Sequence, residues 1–309
     1  MRDRVTVGLV ALVLGVSLTA PAAAGPFEDA VAAYHRGDYA TALRLLRPLA
    51  EQGHIKAQNI LGAMYDSGHG VPQDYTEAVG WYRKAADQGY ALAQANLGNL
   101  YADGHGVPQD HTEAVKRYRK AAEQGFAPAQ HNLGVMYATG EGVPQNYAEA
   151  AVWYRKAAEQ GHTYAQTNLG NLYSDGLGVP QDYREAATWY RKAADQGYAI
   201  AQYNLGNMHA DGRGVSQDFA EAATWYRKAA DQGDATAQYN LGNMYAYGRG
   251  MPQDYVQAHM WFSLAAARFT VSETEHREDA ISNRDTVAAK MTAAQIAEAE
   301  RLAREWKPK

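Results

Sequence analysis

The phrase Ala-Gln-x-x-Leu-Gly returns at Ala57, Ala93, Ala129, Ala165, Ala201 and Ala237, each time 36 residues after the last. No insertion disturbs the register. A fixed period of this length means that one supersecondary unit is stacked on copies of itself, each covering the apolar face that its neighbour exposes. The chain of 309 residues is therefore expected to be an extended array rather than one closed core.

Each unit reads as helix, loop, helix. In the first segment Ala57, Leu61, Gly62 and Tyr65 fall on one face of a 3.6-residue period. Gly62 and its equivalents up to Gly242 recur inside this helix, where glycine costs about 1 kcal/mol relative to alanine. A packing need is expected there, namely close approach of a neighbouring helix. The loop Gly68-His-Gly70-Val-Pro72 ends in a residue that cannot continue the helix. The second helix opens at Asp74 with Glu77 following, a capping-box-like pair repeated at Asp110/Glu113, Asn146/Glu149, Asp182/Glu185 and Asp218/Glu221. Its apolar stripe is Tyr75, Ala78, Tyr82, Ala85 and Ala86, and Gly89 is placed to end it in the left-handed conformation.

Ala-Gln-Tyr-Asn-Leu-Gly-Asn-Met-Tyr at 237–245 and Trp-Tyr-Arg-Lys-Ala-Ala-Asp-Gln-Gly at 225–233 resemble Sel1-like repeats, relatives of the tetratricopeptide repeat with a longer loop between helices. The resemblance runs from about Phe27 to Phe269. It implies an all-α, right-handed superhelical solenoid, and a role as scaffold, adaptor or regulator in secretory or periplasmic compartments. Three departures stand out: Arg117 replaces the tryptophan of the other units (Trp81, Trp153, Trp189, Trp225, Trp261), His209 replaces a tyrosine, and Ser216 a proline. Cysteine-rich members of the family staple each hairpin with a disulfide, and some are linked to penicillin binding or β-lactamase activity. This chain has no cysteine, so those properties do not transfer and stability must come from packing between neighbouring units.

Residues 1–24 read as a signal peptide, with Arg2 and Arg4 ahead of a mostly apolar Val5–Ala20 and small residues Ala22-Ala23-Ala24, after which cleavage is expected. Later stretches are not apolar enough to span a bilayer, so no stable membrane insertion is expected after cleavage. The mature chain would carry 27 basic and 33 acidic residues, a net charge of −6, which disfavours nucleic acid. Location is expected to be periplasmic or secreted.

The ends read as caps. Residues 27–56 form an N-terminal capping repeat with a short loop at His35-Arg-Gly37, residues 57–272 the six repeats, and residues 273–309 two polar capping helices. A possible capping box, Thr292/Gln295, opens the last of these.

By analogy with tetratricopeptide repeats, the third, fourth and seventh positions of each copy line the inner face. The amides Asn96, Asn99, Asn168, Asn171, Asn204, Asn207, Asn240 and Asn243 fall there, beside the variable His131, Tyr203 and Tyr239, with Tyr247 further along. An amide both donates and accepts, so these residues suit a peptide backbone, while the variable positions would select side chains. The competing expectation is that the asparagines serve only bonds between helices. A monomer binding one protein or peptide partner is the expected function; a cell-envelope hydrolase and a regulator of a membrane sensor are the alternatives. No catalytic, metal or cofactor constellation emerges. The ten histidines show no metal-ligand spacing, and Ser-x-x-Lys, Gly-x-Ser-x-Gly and His-Glu-x-x-His do not occur. His69 and His105 share one loop position and are expected to be solvated, while the repeated acids are explained by capping.

Overall fold

The computed structural model describes residues 25–309; the signal peptide read at 1–24 lies outside them. Every regular element among the described residues is helical, sixteen α-helices and one 3-10 turn. None is long and apolar enough to cross a membrane. The chain divides into two compact units that part after His162.

The first unit holds α1 (Pro26–His35), α2 (Tyr39–Glu51), α3 (Ile55–Ser67), α4 (Tyr75–Asp87), α5 (Ala91–Asp103), α6 (His111–Glu123), α7 (Ala127–Thr139) and α8 (Tyr147–Glu159). Odd and following even helices pack as hairpins, and α2, α4 and α6 also pack on the next odd helix. The second helices start where the acids are: Asp74 Oδ1 accepts from the backbone N–H of Thr76 at 2.9 Å and of Glu77 at 3.1 Å. In the hairpins from α3 to α8 the glycine that recurs in register is forced by a tyrosine. A Cβ at Gly62 would lie 2.7 Å from the ring of Tyr82, and one at Gly134 would lie 2.6 Å from that of Tyr154.

The glutamine of the recurring phrase is a clip between hairpins. Gln94 Nε2 donates to the carbonyl of Ala86 in the preceding helix at 3.2 Å, and its Oε1 accepts from Gln124 Nε2, in its own hairpin, at 2.8 Å. Gln58 and Gln130 do the same with Ala50 and Gln88, and with Ala122 and Gln160. The amides are buried, and each is satisfied on both sides. A second glutamine shapes the loop: Gln73 Nε2 closes the carboxyl end of α3 by donating to the Asp66 carbonyl at 2.7 Å.

The second unit holds α9 (Thr163–Asp175), α10 (Tyr183–Asp195), α11 (Ala199–Asp211), α12 (Phe219–Asp231), α13 (Ala235–Tyr247), α14 (Tyr255–Arg268), the turn Val271–Glu273, α15 (Thr274–Ala288) and α16 (Ala293–Glu305). Through α14 it repeats the same hairpins, with Gly206 against Tyr226 and Gly242 against Phe262. The clips are Gln202 with Ala194 and Gln232, then Gln238 with Ala230. Gln238 Oε1 is buried without a partner, because Arg268 stands where the next glutamine would be and lays its guanidinium 4.3 Å from the Trp306 ring centroid.

The two terminal helices differ from each other. In α15 Ala280, Asn283 and Val287 repeat the spacing of Ala237, Asn240 and Met244, and Ala280 and Val287 are buried as their counterparts are. It is a first helix set seven residues late in the 36-residue period. Where that register calls for glycine it has Asp285, exposed, since no ring packs there. The other helix, α16, packs on α14 and brings Trp306 edge-on to Trp261 at 6.3 Å. Thr292 and Gln295 close a complete capping box at its start.

Candidate protein-binding face

Along each first helix one stripe stays partly open to solvent. In the second unit it comprises Tyr164, Asn168, Asn171 and Asp175 on α9, then Ile200, Asn204, Asn207 and Asp211 on α11, then Thr236, Asn240, Asn243 and Tyr247 on α13. Spacings of four, three and four keep these residues on one side of the helix. Tyr164 and Ile200 are more than a third exposed and Tyr247 is 64 % exposed, which is unusual for side chains of this kind.

The asparagines are held by tyrosines of the second helices. Tyr190 OH donates to Asn171 Oδ1 at 2.7 Å, and Tyr226 OH donates to Asn207 Oδ1 at 2.7 Å. Burial pushes both phenols up from their ordinary range, so they stay protonated and able to donate. Asn204 Nδ2 reaches Asn171 Oδ1 at 3.4 Å. On α13 the pattern changes because Phe262 has no hydroxyl. Asn243 Oδ1 there accepts from Asn283 Nδ2 of α15 at 3.3 Å, and the same Nδ2 donates to Tyr239 OH at 3.0 Å. Tyr203 and Tyr239 are half-buried, tilted against Tyr226 and Phe262. Tyr247 stands apart at the end of its helix beside Arg249.

In the first unit Asn99 behaves like Asn171: its Oδ1 accepts from Tyr118 OH at 2.8 Å and from Asn132 Nδ2 at 3.3 Å. Asn96 is buried and donates to Asn59. His131 offers no surface at all. It is 0 % exposed and stacked on His162 at 4.9 Å, with Asn132 Oδ1 3.2 Å from its Nδ1. Desolvation, with the His162 charge second, holds the His131 pKa down to about 3, and desolvation lowers His162 to about 4.

The departures in the repeat have local reasons. Arg117 Nε meets Glu113 Oε1 at 2.7 Å, the bond that Trp225 Nε1 makes to Glu221 at 2.9 Å, so the guanidinium substitutes for the indole N–H. His209 takes the place of tyrosines that accept from an arginine of the preceding hairpin: Arg83 donates to Tyr101 OH at 3.0 Å, whereas Arg191 meets His209 Nε2 at 3.1 Å and leaves the ring's buried Nδ1 without a partner. His69 and His105 each stack on a tyrosine, Tyr39 at 4.6 Å and Tyr75 at 4.5 Å, with His69 half-buried and His105 exposed. No group of three or more metal-ligating side chains gathers among the described residues. The glutamine clips escaped the sequence reading, although the repetition of Gln58 in every copy was their signal.

The Sel1 repeat model matches residues 32–54, 55–90, 91–126, 127–162, 163–198, 199–234 and 235–268, each full copy starting two residues before the Ala-Gln phrase. A Sel1 repeat protein of Oxalobacter formigenes is 36 % identical with a TM-score of 0.70, over 78 % of this chain and 97 % of its own. A protective antigen of uropathogenic Escherichia coli displaying an SLR fold is 29 % identical with a TM-score of 0.50, over 91 % of each chain. No curated protein matches. Seven matched copies spanning the helical hairpins make this chain a member of the Sel1 repeat family.

Proposed function

We propose that the chain is a non-catalytic scaffold that holds a protein or peptide partner on the faces of its first helices, delivered by its leader to the periplasm or the cell exterior. The observation that supports this is the row of half-exposed asparagines, two of which, Asn171 and Asn207, are fixed through Oδ1 by a tyrosine hydroxyl. Fixed polar groups flanked by exposed Tyr164 and Ile200 are what a recognition surface needs, since little side-chain entropy is lost on binding. His131 and Asn96 lie beneath that surface and support it from within.

The test is affinity for a partner cross-linked to residues 25–309 in envelope extracts, identified and purified. Asn204→Ala with Asn240→Ala, shown folded by circular dichroism, weakens that affinity. Unchanged affinity moves the site off this face, and turnover of a cell-wall substrate would replace the scaffold reading. Cell fractionation with amino-terminal sequencing tests the leader: the mature chain starts at Gly25, and an uncleaved chain in the cytoplasm refutes delivery.

A further inference from the structure

We infer that the asparagines of α9 and α11 form a polarised cradle for a trans peptide group, with N–H donors at Asn171 and Asn207 and a carbonyl acceptor at Asn204. This rests on the scaffold reading and specifies what the face grips. Asn171 and Asn207 spend their Oδ1 on Tyr190 and Tyr226, so the atom each presents is Nδ2. Asn204 spends Nδ2 inward, on Asn171 Oδ1, so the atom it presents is Oδ1. The direction is set by the phenols: Tyr190 OH and Tyr226 OH each donate, so Oδ1 is the atom that the facing asparagine turns inward. Acceptor and donor lie one helical turn apart on the same stripe, Asn204 beside Asn207.

An occupant must then accept on one side and donate on the other. An anion satisfies the donor row alone, and it meets exposed Asp175 and Asp211 one turn beyond Asn171 and Asn207, the second with Arg213 3.5 Å away. An ammonium or guanidinium group leaves the donor row unmet. A trans secondary amide carries C=O and N–H on opposite sides of one plane and fits both donors and acceptor. The adjacent Tyr164 and Ile200 offer apolar contact to side chains of the same segment. The occupant is thus an extended polypeptide segment held by its main chain.

The probe is a pool of uncharged twelve-residue peptides, with a second pool N-methylated at alternate residues, each titrated into the full chain labelled with nitrogen-15 at asparagine. The side-chain amide signals of Asn171 and Asn207 shift with the first pool and shift less with the second, which lacks half of its N–H groups. Asn171→Asp with Asn207→Asp keeps an oxygen for each tyrosine hydroxyl but turns the outward donor into an acceptor, and weakens binding about tenfold, as loss of two hydrogen bonds requires. Asn146→Asp, a helix cap in the other unit, leaves binding unchanged. Equal binding by the double aspartate variant, equal binding of the methylated pool, or a preference for an uncharged oligosaccharide overturns the polarised cradle and leaves the scaffold reading standing. No response to any peptide overturns both for this face.

Discussion

Lowering the pH from 7 to 5 should destabilise the first unit through His131 and His162. The native pKa values of about 3 and about 4 both lie below pH 5, so over this range the folded pair stays neutral while the unfolded chain takes up protons near 6.5. The unfolded state binds more protons, so stability rises with pH and is lost as pH falls through the unfolded value. The loss depends on the unfolded pKa and not on how far below 5 the native values lie. Each histidine contributes about 2 kcal/mol between pH 7 and 5, and the pair about 4 kcal/mol. For a unit of this size that corresponds to roughly 8–16 °C in Tm. The control comes from the neighbouring hairpin, where the same two positions are Ala95 and Phe126, one small and one large. His131→Ala with His162→Phe should keep the packing and remove most of the difference between melts at pH 7 and pH 5, followed by circular dichroism. His259 in the other unit, also lowered by burial, keeps a residual slope in both proteins. Equal losses in wild type and variant would refute the assignment to this pair.

Three further outcomes are expected. Gly206→Ala places a Cβ 2.7 Å from the Tyr226 ring and should lower stability by about 2 kcal/mol by overpacking, whereas a rise in the urea midpoint would show that the ring can move aside. Gln130→Ala removes the bonds to the Ala122 carbonyl and the Gln160 amide, which keep the Gly125 N–H and the Lys156 carbonyl as partners, and should cost about 1–2 kcal/mol in urea denaturation; an effect below 0.5 kcal/mol would show that water replaces the clip. His209→Tyr restores the hydroxyl acceptor for Arg191 and removes a buried ring nitrogen without a partner, so it should stabilise by about 1 kcal/mol, and a lower melting temperature would count against that account.

Much of the fold was legible because its determinants are local. The acids at Asp74 and Asp110 cap where the spacing places them, and the glycine at Gly62 anticipated a close neighbour, which the structure supplies as Tyr82. What stayed hidden acts between helices. The contact of His131 with His162 joins positions 31 residues apart, and nothing in either residue type announces it. The first-helix register of α15 was missed because seven extra residues shift it and Asp285 replaces the expected glycine. At the face, the asparagines were readable as amides, but which end of each amide points outward depends on phenols 19 residues away in the partner helix.

The glutamine clips have a consequence for how the array comes apart. A hairpin clipped on both sides cannot swing away without exposing buried amides, so opening should begin where a clip is incomplete. That place is Gln238, whose Oε1 receives nothing from the following helix. Amide hydrogen exchange should therefore be faster along α13 and α14 than along α11 and α12 once α15 and α16 are loosened, for instance by Asn283→Ala. The terminal helices would then act as a latch, setting the end from which the second unit frays.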